Sequence, residues 1–92
     1  MITIEALGPE EWKVTVTEAA RTEHRVRVRA ADMEDLFPER PPSVEKLIEE
    51  SFRFLLEREP NTAILPSFNL PVIGSYFPEY PREIAKRIRR CK

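Results

Sequence analysis

The sequence predicts an α+β domain in which a three-stranded antiparallel β-meander packs on one long α-helix, followed by short helical turns and a C-terminal helix. Three observations carry that prediction. Apolar residues alternate with polar ones, at a period of two, through most of the first thirty positions. From Ser43 the period becomes helical and stays so to Pro60. Beyond Pro60 neither period lasts, and Pro66, Pro71, Pro78 and Pro81 cut the chain into short pieces.

Ile2, Ile4 and Ala6 alternate with Thr3, Glu5 and Leu7, and Trp12, Val14 and Val16 alternate with Lys13, Thr15 and Thr17, across a Gly8-Pro9-Glu10-Glu11 turn. These two strands are close enough along the chain to pair as a hairpin. Residues 18–23 read as a second connection, and His24, Val26 and Val28 alternate with Arg25, Arg27 and Arg29 in a third strand. One face of the meander then presents Ile2, Ile4, Trp12, Val14, Val16, Val26 and Val28 to a helix, and the other is solvated. Ala31 to Phe37 reads as a helical turn capped by Asp32, with Met33, Leu36 and Phe37 inward. Pro38, Pro41 and Pro42 make residues 38–42 a stiff linker.

The central helix is written most clearly. Val44, Leu47, Ile48, Phe52, Leu55 and Leu56 recur at steps of three and four, with Ser51 in the same stripe. Ser43 is placed to cap its start, Glu45, Glu49 and Glu50 suit its positive end, and Pro60 supplies the stop. Phe54 widens the apolar arc past a half-turn, so contacts on two sides are expected. Lys46, Glu49, Glu50, Arg53 and Glu57 form the remaining, solvated face, with Glu49–Arg53 and Arg53–Glu57 at pairing distance along the helix. Further on, Asn61 reads as the cap of a turn to Leu65, Asn69 as the cap of one from Leu70 to about Phe77, and Pro81 as the opening of a last helix to about Arg90.

Ninety-two residues make one domain, 1–92. Net charge is −1, but residues 1–60 hold nine Lys/Arg against fourteen Asp/Glu whereas residues 61–92 hold six against two. An acidic body and a basic tail follow. The single cysteine, Cys91, excludes an internal disulfide, and no signal-peptide pattern opens the chain, so a cytoplasmic protein is expected. Residues 61–78 lack any charged side chain in a chain that is 34% charged. Their prolines, Gly74 and two asparagines exclude a membrane span, so no membrane association is expected.

Catalytic chemistry has little material. His24 is the only histidine and alternation turns it inward, where a structural hydrogen bond is the simplest role. Asp32, Glu34 and Asp35 are better read as acids favouring a helix start than as metal ligands, and Gly8 and Gly74 are too far apart to build a phosphate loop. No enzyme, metal or cofactor is expected. Three surfaces are candidates for binding. Arg25, Arg27 and Arg29 emerge on one sheet face about 7 Å apart, near the spacing of phosphates on one strand, or else pair with Glu5, Glu18 or Glu23. Lys86, Arg87 and Arg90 belong to a tail segment, 82–92, with six cations and one anion; docking of its Ile84, Ile88 and Cys91 side on the acidic body is the preferred reading, and nucleic-acid contact the alternative. Phe68, Leu70, Ile73, Tyr76, Phe77 and Tyr80 belong to an apolar run whose unburied remainder would mark a protein partner or self-association.

At Ser51-Phe52-Arg53-Phe54-Leu55-Leu56-Glu57-Arg58-Glu59-Pro60, Ile64-Leu65, Phe68-Asn69-Leu70, Ile73 and Tyr76-Phe77-Pro78-Glu79-Tyr80, the chain resembles a group of small prokaryotic proteins. That resemblance implies a compact cytoplasmic prokaryotic domain and assigns no site residues, since the group has no established activity. Three strands leading to a helix that begins Ser-Val-Glu-Lys-Leu also resemble HicB-type antitoxins, at the level of fold. The expectation is a small non-enzymatic interaction or regulatory module that meets a protein partner or a second copy of itself, with an antitoxin-like nucleic-acid binder as the alternative.

Overall fold

A computed structural model describes residues 1–38 and 40–90, apart from the side chain of Arg90. The elements are β1 (Ile2–Ala6), β2 (Glu11–Thr17), β3 (Arg21–Arg27), α1 (Ala30–Leu36), α2 (Val44–Leu56), a 3-10 turn (Asn61–Ala63), β4 (Ser67–Asn69), α3 (Val72–Tyr76) and α4 (Tyr80–Arg90). The α+β class and the meander are as the sequence predicts. The sheet, however, has four strands in the order β1-β2-β3-β4, and it is mixed.

β1 and β2 pair antiparallel with Ile2 opposite Val16 and Ala6 opposite Trp12. The turn between them is closed by the Leu7 N–H donating to the Glu11 carbonyl at 2.9 Å. β2 and β3 pair antiparallel from Glu11–Arg27 to Thr17–Arg21. The second connection is therefore shorter than the polar composition of 18–23 implied, because Arg21, Thr22 and Glu23 belong to the ladder. β4 lies parallel to β3, with Phe68 beside Val26. A three-residue strand holding one apolar side chain shows no period, which is why the sequence reads it as turn.

Val14, Val16, Val26 and Val28 are buried under α2, with Ile2, Ile4 and Trp12 partly covered at the sheet's margin. α2 starts as its cap requires: the Ser43 hydroxyl accepts from the Lys46 N–H at 3.2 Å. It packs the sheet on one side, through Phe52 against His24 and Phe68, and α4 on the other, through Ser51 and Phe54 against Tyr80. The broad apolar arc is thus used on two sides. Glu50 departs from its predicted solvated face: it is buried, with Lys46 at 3.5 Å and Arg53 at 4.0 Å, and paired cations make that burial tolerable. Glu49 and Arg53 pair at 2.7 Å as their spacing allows, whereas Glu57 meets Arg87 of α4 at 2.5 Å.

Three caps differ from expectation. Asp32 occupies the third position of α1, its carboxylate accepting from the Arg29 N–H at 2.9 Å, so Arg29 is the capping residue. Asn61 is buried and its Nδ2 faces the Val16 and Ala20 carbonyls at 3.3 and 2.9 Å and the Thr22 hydroxyl at 2.9 Å, which pins the 3-10 turn to the β2–β3 connection. Asn69 lies in β4, and Pro71 precedes the first residue of α3. Cys91, expected on the apolar side of the last helix, and Lys92 lie outside the described residues.

Candidate interaction surfaces

Beyond α2 the chain is threaded back along the sheet by His24. Its Nδ1–H donates to the Leu65 carbonyl at 2.8 Å, since a carbonyl can only accept, and Nε2 lies 2.9 Å from the Thr22 hydroxyl. Thr22 in turn accepts from Asn61. The histidine is 3% exposed and stacks obliquely on Phe52 at 5.4 Å. Both ring nitrogens are occupied, in the structural role that its inward position implied. This bond delivers Pro66 to β3, where its carbonyl accepts from the Arg25 N–H at 2.8 Å, and β4 follows.

The segment after β4 separates its apolar residues into two sets. Leu70, Ile73 and Tyr80, three of the six expected at an interface, are core residues with at most 2% exposure. Tyr80 is held there by its hydroxyl, 2.7 Å from that of Ser51, which donates to the Leu47 carbonyl at 2.7 Å. Burial raises the Tyr80 hydroxyl well above the ordinary phenol value, with the Ser51 bond opposing it in part. Phe68 and Phe77 are half-buried, and Tyr76 is 64% exposed. Together with Leu55, Glu59, Ile64, Leu65, Val72 and Ile73, these last three line a shallow groove between the end of α2, the 3-10 turn, β4 and α3. Leu65, at 41% exposure, was not singled out as an interface residue; its neighbours Ile64 and Pro66 gave no sign of which of the two aliphatic side chains would turn outward.

The two basic candidates are separated by the core. Arg25 and Arg27 lie on the outer sheet face, away from α2, and Arg29 caps α1 with Asp32 at 3.5 Å. Arg27 has Glu10 at 4.0 Å and Lys13 has Glu5 at 3.6 Å. Arg25 stands directly opposite Lys13 across the strands and has no carboxylate partner among the described residues. The helix α4 is docked, as preferred: Ile84 is fully buried, and Arg87 pairs with Glu57 while its guanidinium lies 5.7 Å from the Phe54 ring. The Arg87 bond holds the Glu57 carboxyl below the ordinary carboxylate range, and the same bond raises the Arg87 guanidinium. Arg87 is therefore consumed internally. Lys86 is exposed, in a stripe with Arg82 and Arg89 at helical spacing, and the side chain of Arg90 lies outside the described set.

Among the described residues no group of three or more His, Cys, Asp and Glu is placed to hold a metal ion, and no helix is long and apolar enough to cross a membrane. No protein-family model, curated protein or solved structure matches the chain.

Proposed function

We propose that this chain is a small non-enzymatic protein-interaction module whose contact surface is the groove beside β4. One observation carries the reading: Leu65 and Tyr76, two of the four large hydrophobic side chains that stand exposed among the described residues, rim the same apolar groove. Single exposed apolar residues are ordinary on a soluble domain, but adjacent ones around a concavity are what a partner covers. The groove's floor is rigid because Phe68, Ile73 and Phe77 are tied into the core. Quantitative capture of protein partners by wild type, Tyr76→Glu and Arg25→Glu tests it. A partner lost with Tyr76→Glu and retained with Arg25→Glu is the expected result; capture that ignores Tyr76→Glu would refute the reading.

A second reading, nucleic-acid binding in the manner of the antitoxin-like folds, is favoured by a different observation. Like charges directly opposite on a sheet are destabilising, and Lys13 and Arg25 are so placed. With Arg27 beside them, they form a small cationic patch suited to phosphate. It predicts affinity for an oligonucleotide that falls steeply with salt and weakens with Arg25→Glu. Binding that is flat with salt removes it.

A further inference from the structure

We propose that the occupant of the groove is a second copy of this chain, paired antiparallel through β4 across a two-fold axis at Phe68. The inference rests on the reading of the groove as a protein contact surface and adds the identity of the partner.

Backbone geometry supplies the first support. The Pro66 carbonyl accepts from Arg25 N–H at 2.8 Å and the Leu70 N–H donates to the Arg27 carbonyl at 3.0 Å, so the even-numbered positions of this segment face β3. Ser67 and Asn69 therefore turn their N–H and C=O groups away from the sheet, at its edge, and both residues are exposed. With the axis at Phe68, Ser67 of each copy meets Asn69 of the other, and each such pair exchanges two backbone hydrogen bonds. The side chains of Ser67 and Asn69, which share the outer face, meet as hydroxyl and amide. The two Phe68 rings meet on the inner face, with Leu65 and Tyr76 of each copy close to the new contact. Two four-stranded sheets become one of eight strands.

Charge supplies the second support. An isologous contact brings a surface patch against itself, so any charge near the axis meets its own copy. In a chain that is 34% charged, the one long run without a charged side chain, residues 61–78, contains β4 and most of the groove. The sheet's other edge, β1, carries Glu5.

Sedimentation of the full chain from about 1 µM to about 1 mM tests the inference, together with two variants chosen for what they spare. Asn69→Pro deletes an N–H that faces away from β3, and proline is tolerated on edge strands, so the fold should survive and the dimer should not. Tyr76→Glu places a carboxylate at the contact from an exposed position and should weaken self-association roughly 100-fold. If Asn69→Pro fails to fold by circular dichroism, Tyr76→Glu decides alone. The expected result is twice the 10.8 kDa chain mass for wild type and single mass for both variants. Wild type that stays single at every concentration overturns the inference, as does a dimer that survives both variants. In either case, loss of a captured partner with Tyr76→Glu would leave the groove reading standing, and its retention would end that reading too.

Discussion

The two sides of α2 are held by different physics. On the sheet side, Phe52 and its aliphatic neighbours meet buried valines, and the buried His24 is satisfied by Thr22 and the Leu65 carbonyl. On the α4 side, an aromatic cluster is laced with polar chemistry. Phe54 meets Tyr80 at 5.4 Å and Phe77 at 5.8 Å, the Arg58 guanidinium lies 3.7 Å from the Phe54 ring centre, and Ser51, Tyr80, Glu57 and Arg87 are hydrogen-bonded across the helices. The difference teaches that a helix can be glued to a sheet by shape and area, yet needs directional contacts to choose one pose for a short, charged helix such as α4.

Emptying each side of α2 in turn should have the largest effects. Phe52→Ala should cost about 3–5 kcal/mol in chemical denaturation and unfold the chain as a whole, since its buried ring packs on both His24 and Phe68. Phe54→Ala should cost a similar amount, with about 0.5–1.5 kcal/mol of it attributable to each lost ring contact. If Phe54→Ala instead released α4 alone, seen as loss of hydrogen-exchange protection confined to residues 80–90, the two sides would be separate cooperative units.

Tyr80→Phe sharpens the contrast at intermediate size. It removes the hydroxyl while Ser51 keeps its bond to the Leu47 carbonyl, so the cost should be about 1 kcal/mol. It should also change the response to alkali. Burial raises the Tyr80 hydroxyl in the folded state, so its contribution is fully present below the unfolded phenol value. It is lost as pH rises above that value, because only the unfolded chain can then ionise. Tyr80→Phe should lose less stability than wild type between about pH 9 and about pH 11.

The smallest effect belongs to the outermost contact. Glu57→Gln should cost about 0.2–1 kcal/mol at neutral pH, since the pair with Arg87 is largely exposed on the Glu57 side. The Glu57 carboxyl is lowered in the folded state, so its contribution is present above the unfolded carboxylate value and fades as pH falls through the folded one. The gap between wild type and Glu57→Gln should therefore close on titration from about pH 6 to about pH 3.

The same contrast explains what could be read from residues alone. Periodicity records area, so the meander, the Ser43 cap and the two-sided use of α2 were legible in it. Partner choice by polar side chains is not periodic. Nothing along the chain tells Asn61 to reach Val16 and Ala20, Asp32 to serve Arg29, or Glu50 to be buried beside Lys46. The site was partly legible for that reason: the apolar run was found, but which of its members are structural depended on Tyr80 finding Ser51 and on β4 finding β3, both contacts with distant parts of the chain.

The parallel pairing of β4 carries a consequence for synthesis. β1, β2 and β3 are joined by short turns and can zip as soon as they leave the ribosome, whereas β4 must wait for about forty intervening residues and the closure of the loop they form. Throughout that interval β3 is an open edge, available to any other nascent chain. Pairing of Ser67 to Asn69 with Arg25 to Arg27 then closes that edge, while the two arginine side chains stay exposed on the outer face.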